Sequence, residues 1–167
     1  TKNNEKLPSL KIEKCNIKFE NINFYYANTK ERAVKKINLE IKGGSMTAFV
    51  GHSGAGKSTI INLIPRFYEP QEGKIFIDQQ NIHEISLYSL RESISLVSQD
   101  VILFDETIKA NIAYANPNAS QNEIIEACQF AAADEFIDKL PDAYETLIGE
   151  NGVRLSGGQK QRISIAR

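Results

Sequence analysis

The patterned part of the chain begins with IKFENINFYY (17–26), where apolar and polar positions alternate with one slip of phase at Glu20 and Asn21. A period of two predicts a half-buried strand. The slip predicts a bulge, because one extra residue turns every later side chain to the other face. ANTKER then reads as a polar turn, and VKKINLEI (34–41) as a second strand with Ile37, Leu39 and Ile41 on one face, closed by KGG. SMTAFV (45–50) is nearly continuous in apolar residues, the pattern of a strand buried on both faces, and SISLVS (93–98) is a second candidate of that kind. Between them, a helical pattern starts near Lys57 and is ended or kinked by Pro65. GKIFID (73–78) predicts another strand, and residues 81–91 a turn and short helix.

Past residue 100 the period changes to that of helices. Ser120 and Glu123 form S-x-x-E ahead of Ile124, Cys128, Ala131 and Ala132 at helical spacing, a capping box that marks where a helix starts. A further helical turn carries Phe136, Ile137 and Leu140 into Pro141. The organisation predicted is a β-rich N-terminal portion, an α/β core and a helical insertion over about 101–147, without repeats or low-complexity tracts.

Composition narrows the class. With 41% hydrophobic and 25% charged residues in 167, the chain is a globular domain with a core of its own. A formal net charge of −1 argues against a nucleic-acid or membrane-surface binder held by bulk electrostatics, so Lys35, Lys36, Lys160 and Arg162 read as solvated faces. Cys15 and Cys128 match no metal spacing and read as small apolar residues of a reducing compartment. No apolar run approaches the ~20 residues of a membrane span. TKNNEKLPSLKIEK (1–14) lacks the apolar core of a secretion signal and reads as a polar linker.

The chemistry lies in GHSGAGKST (51–59), which matches G-x-x-x-x-G-K-[ST]. A polyphosphate carries several negative charges, so its cradle needs donors packed closely around it. Glycines let backbone N–H groups converge without a Cβ in the way, and the following helix turns its positive end toward the anion. In such a loop Gly51, His52, Ser53, Gly54, Ala55, Gly56, Lys57, Ser58 and Thr59 surround the phosphates. Lys57 reaches the β- and γ-phosphates and the Ser58 hydroxyl holds Mg2+. His52 occupies a position open to any residue and reads as an exposed loop side chain. The motif names a nucleotide as ligand, but kinases, GTPases, helicases and transporters all share it.

A second glycine-rich stretch, LSGGQ (155–159), opens another helix: Ser156 can cap it while the amides of Gly157 and Gly158 face outward. With this stretch the chain resembles the nucleotide-binding domain of ABC (ATP-binding cassette) proteins, whose signature sequence it is, with motifs in family order from about residue 17 to 167. The resemblance implies an α/β fold: a P-loop NTPase-like core sheet, an N-terminal antiparallel β subdomain and a helical signature subdomain. The ATP-binding domain would span 15–167, with the β subdomain and phosphate-loop core over about 15–100 and the helical part over about 101–160. It also implies that Tyr26 stacks on adenine, that Gln99 contacts Mg2+ and the attacking water, and that Ser156, Gly157, Gly158 and Gln159 close over ATP held by a second such domain in a head-to-tail dimer. TLIGENG (146–152), with Glu150, and QDVILFDETIKANIAY are similar to exporter-type members. For these the resemblance implies fused transmembrane domains, a place at the cytoplasmic face of the membrane, and no nucleic-acid partner.

Two departures from the family pattern stand out. Gln79 replaces the glycine that usually follows the aspartate of the IDQQN hairpin, weakening the expected tight turn. No Asp–Glu strand, D-loop or switch histidine follows the signature, and His83 precedes it. The expectation is a domain lacking its C-terminal part, binding Mg·ATP and not hydrolysing it, with Lys57 and Gln99 the catalytic residues it retains. A soluble ABC ATPase acting on DNA or ribosomes, and a non-catalytic split-gene product, remain alternatives.

Overall fold

The computed structural model describes residues 7–27, 32–149, 152 and 154–167. They form two compact units, Thr1–Ser95 and Leu96–Arg167.

The first unit is built on a four-stranded antiparallel sheet in the order β2-β1-β3-β4, with β1 Ile17–Phe24, β2 Val34–Ile41, β3 Glu72–Ile77 and β4 Gln80–Asn81. The central β1 pairs Phe19 with Leu39 on one side and with Ile75 on the other. Its ladder shifts register between Phe19 and Ile22, and Asn21 takes φ 50°, so the bulge forms where the phase slips. The bulge brings Phe19, Ile22 and Phe24 to the buried face, although Phe19 and Ile22 are an odd number of residues apart. Gly73 of β3 accommodates it: at φ 91°, a Cβ there would lie 2.4 Å from the Glu20 carbonyl oxygen. Helix α1 (Lys57–Leu63) turns its fully buried Leu63 to this core and stops before Pro65. A 3-10 turn (Ile82–Glu84) and α2 (Leu87–Glu92) add the fully buried Ile82 and Leu90. Each such side chain removed from water stabilises the unit by about 1.5–3 kcal/mol.

The two segments expected to be doubly buried strands do not form them. Residues 45–50 and 93–98 pair with nothing in a β-ladder among the described residues. Met46 is 100% exposed, Val50 93%, and Leu96 and Val97 more than 40%. An apolar run specifies burial, but a strand also needs a neighbour to answer its N–H and C=O groups, and no described segment supplies one. The weakened hairpin, by contrast, forms: Asp78 and Gln79 both take positive φ, 46° and 67°, and join β3 to β4 in a two-residue turn.

The second unit is helical. Helix α3 (Ile108–Ala113) is N-capped by the Thr107 hydroxyl, which accepts from the Ala110 amide at 3.0 Å. Helix α4 (Gln121–Phe130) starts in the predicted capping box, with the Glu123 carboxylate accepting from the Ser120 amide at 2.7 Å. That contact holds the Glu123 carboxyl below its ordinary range. Ile124 and Cys128 face the core together with Phe136 and Ile137 of α5 (Asp134–Ile137) and Ile163 of α6 (Gly157–Ala166). Ala132, expected on the α4 face, instead lies beyond its end at φ 51°.

The fully buried Asn111 organises this unit. Its side-chain oxygen accepts from the Phe104 amide and from Arg167, and its amide group donates to the carbonyls of Phe104 and Thr107. Cys128 is a core residue as expected, its thiol pushed up to about 11 by burial, whereas Cys15 is exposed at φ 58°. Arg162 is more than a solvated charge, since it donates to the Ala132 carbonyl at 2.7 Å and lies over the Phe136 ring. Among the described residues no helix is long and apolar enough to cross a membrane.

Candidate nucleotide site

Residues 51–56 form a largely exposed loop running into α1 at Lys57. Gly56 caps the helix in the left-handed region at φ 84°, and a Cβ there would lie 2.5 Å from the Ala33 carbonyl oxygen. The fold itself therefore demands glycine at that position. One backbone bond pins the loop internally, Ala55 N–H to the His52 carbonyl at 3.3 Å. Among the described residues the amides of Gly54, Gly56, Lys57 and Ser58 hold no hydrogen bond, so donors gather on an open face with no acceptor of their own. The Lys57 ammonium donates to the carbonyls of Gly51 and His52 at 2.8 and 2.7 Å. It thus sits over the loop, its charge folded back among the donors. His52 is exposed, and its Nδ1 lies 2.8 Å from the Ser53 carbonyl oxygen. Ser53, Gly54, Ala55 and Ser58 are exposed as well.

Tyr26 follows β1 and is half-buried. Its ring meets Phe24 and Tyr68 edge-on, with centroids 4.9 and 5.2 Å apart. Its hydroxyl lies 2.9 Å from that of Thr59, which is buried on α1. One hydrogen bond therefore ties the aromatic platform to the helix that carries the loop. Sequence reasoning found Tyr26 and Thr59 separately but missed this bond and the supporting Tyr68, because neither spacing nor period encodes a contact between residues so far apart.

Gln99 and the signature belong to the second unit. Gln99 is exposed in a bend, next to Ser98, whose hydroxyl donates to the Asp100 carbonyl at 2.6 Å. The signature starts α6 with a reciprocal cap: the Gln159 amide donates to the Ser156 hydroxyl at 3.3 Å, and the Gln159 side chain accepts from the Ser156 amide at 2.8 Å. Gly157 and Gly158 are exposed, and a Cβ at either would meet nothing within 4 Å. Glu150 lies outside the described residues.

The donor set fits Mg2+ delivered on a polyphosphate. No three His, Cys, Asp or Glu side chains cluster for a metal among the described residues, while the Ser58 hydroxyl at the head of α1 is exposed and free to complete a shell otherwise made by phosphate oxygens and water.

Comparison with known proteins agrees with these features. The ABC transporter family model matches residues 34–167. An ATP-dependent lipid A-core flippase of Chromohalobacter salexigens is 48% identical over 151 residues, 90% of this chain and 26% of the flippase. An ABC transporter B family member 2 of Dictyostelium discoideum is 50% identical over 153 residues, 91% of this chain and 11% of that protein. Among solved structures, a bacterial Atm1-family ABC exporter with ATP bound matches with a TM-score of 0.93 at 43% identity, covering 97% of this chain and 28% of that one. The chain thus spans about a quarter or less of the length of these relatives.

Proposed function

Because the chain belongs to the ABC transporter family, whose members are ATPases, we propose that it is the ATP-binding domain of an exporter, coupling ATP binding and hydrolysis to movement of a substrate across a membrane. The observation that carries this reading is the loop at 51–56 running into α1, with unbonded amides, a glycine the fold requires and a lysine lodged over it. Adenine stacks on Tyr26. The amides from Gly51 to Thr59 receive the phosphates as the Lys57 ammonium turns from its own carbonyls to the β- and γ-phosphate oxygens. Mg2+ when bound neutralises charge on the β- and γ-phosphates. The Ser58 hydroxyl, at the head of α1, would hold it.

The signature works in trans. Ser156, Gly157, Gly158 and Gln159 of one domain close over the nucleotide in the loop of a second, head to tail. Membrane helices attached to the two domains follow their closing and opening, which places the domain at the cytoplasmic face of the membrane. A single copy of the 167 residues binds Mg·ATP without turning it over, since the nucleotide in its loop is not covered by the signature of a second domain.

Titration calorimetry with Mg·ATP tests the reading. Heat with a single-site isotherm that disappears in Lys57→Ala is the expected result. Equal heat in both proteins, or none in the parent chain, rejects it.

A further inference from the structure

The residues ahead of β1, which read as a linker in the sequence, are tied to the first unit from Pro8 onward, first to α2 and its cap and from Lys11 to the sheet and its β3–β4 turn. The Asp78 carboxylate, in the β3–β4 turn, accepts the amides of four consecutive residues. Glu13, Lys14 and Cys15 donate to Oδ2 at 2.8, 2.9 and 2.8 Å, and Asn16 donates to Oδ1 at 2.8 Å. The Asp78 amide returns a bond to the Asn16 carbonyl at 2.9 Å. Further out, the Gln80 side chain both accepts from the Lys11 amide and donates to the Lys11 carbonyl, imitating a strand partner. Ser89 Oγ accepts from the Leu10 amide, and the Ser86 amide donates to the Pro8 carbonyl at 2.8 Å.

A turn-forming aspartate needs one or two local bonds to its own turn. Asp78 spends its acceptors on a segment more than sixty residues away in sequence. Charge-assisted bonds of this kind are about twice as strong as neutral ones, and here they gather on one carboxylate. The strand that starts directly after the latched Asn16 leads, at its far end, to Tyr26 and its bond to Thr59.

We propose that Asp78 is a latch that makes residues 8–16 and the four-stranded sheet one mechanical body. Motion delivered through the chain ahead of β1 then reaches the nucleotide-binding unit without being absorbed as slack. The proposal rests on the reading above, in which a membrane-embedded part must exchange motion with this domain.

Amide exchange and coupling test it separately. In the full chain, Asp78→Asn keeps one carbonyl acceptor but loses the charge. It is expected to speed exchange at the amides of 13–16 by about tenfold or more while β3 stays protected. Gln80→Ala does the same at Lys11 alone, and carries the exchange test if Asp78→Asn fails to fold.

In a lipid-reconstituted subunit where this domain is fused to its membrane helices, both substitutions leave basal ATP turnover within about twofold. Substrate moved per ATP falls to about half or less. Unchanged exchange in the folded variants overturns the latch. Faster exchange with undiminished transport per ATP overturns its mechanical role. Failure of the nucleotide reading shows differently, as ATP binding that survives Lys57→Ala.

Discussion

The chain contains two glycine-rich helix starts that look alike in sequence and differ in what holds their glycines in place. At the phosphate loop, Gly56 sits at φ 84° with the Ala33 carbonyl oxygen where its Cβ would be, so its own fold excludes any other residue. At the signature, Gly157 and Gly158 lie in the first turn of a regular helix with open space around them, and among the described residues nothing asks for glycine. Helix propensity argues against glycine there by about 1 kcal/mol per residue. A residue that weakens its own helix and relieves no clash points to a requirement outside the chain, such as the close approach of a ligand. One loop is shaped from within, and the other fits the proposed approach of a ligand from outside.

The largest expected effect tests the first half of that contrast. Lys57→Ala removes the ammonium bonded to the loop carbonyls and should weaken Mg·ATP binding by about a hundredfold or more, read by calorimetry. Chain stability should hardly change, since the lysine's bonds are to exposed loop carbonyls. Next comes Gly56→Ala, whose left-handed strain and contact with the Ala33 carbonyl should cost at least about 2 kcal/mol in denaturant unfolding and disrupt nucleotide binding as well. If Gly56→Ala left both unchanged, the loop would not be shaped from within.

Ser156→Ala removes the oxygen that accepts from the Gln159 amide and should cost about 1 kcal/mol. Its effect on ATP binding to a single chain should be undetectable, because in the proposed head-to-tail pair the signature serves a nucleotide held by a second domain. A smaller effect still is expected from pH at Asp78. Four backbone amides hold its carboxyl down to about 2 in the folded chain, below its ordinary value of 3.8. A carboxyl depressed on folding contributes stability that is present above its unfolded pKa and fades as pH falls through the folded one. Exchange protection at 13–16 should therefore hold at neutral pH and decline between about pH 4 and pH 2, a dependence that Asp78→Asn abolishes.

Much of this was legible in the sequence, and the parts that were not share a cause. Local periodicity carried β1 and its bulge, β2, the stop of α1 at Pro65, and the capping box of α4, because each is decided by neighbours in the chain. The phosphate loop and the signature were legible because their spacings are those of a mechanism. Residues 45–50 and 93–98 misled, since their apolar runs report a preference for burial, and whether a strand forms depends on a partner that the run does not name. Asn111 and Asp78 were invisible for the complementary reason. Each acts on residues remote in sequence or on backbone atoms, and an asparagine in a helix or an aspartate in a turn looks ordinary from its neighbours.

The subtlest prediction bears on the second half of the contrast, and it has the opposite sign to the rest. Gly158→Ala places a methyl group where no atom lies within 4 Å and gives the start of α6 a better helix former. The isolated chain should become more stable by about 0.5–1 kcal/mol, a rise of a few degrees in thermal unfolding. Binding of Mg·ATP to the single chain should stay as it was. In a reconstituted pair of domains the same methyl would stand between the amides of one chain and the nucleotide of the other, so ATP-driven association should weaken while the protein itself grows firmer. Loss of stability in Gly158→Ala would mean that the glycine serves its own fold after all. Gain of stability with association intact would mean that nothing approaches α6 closely enough to require it.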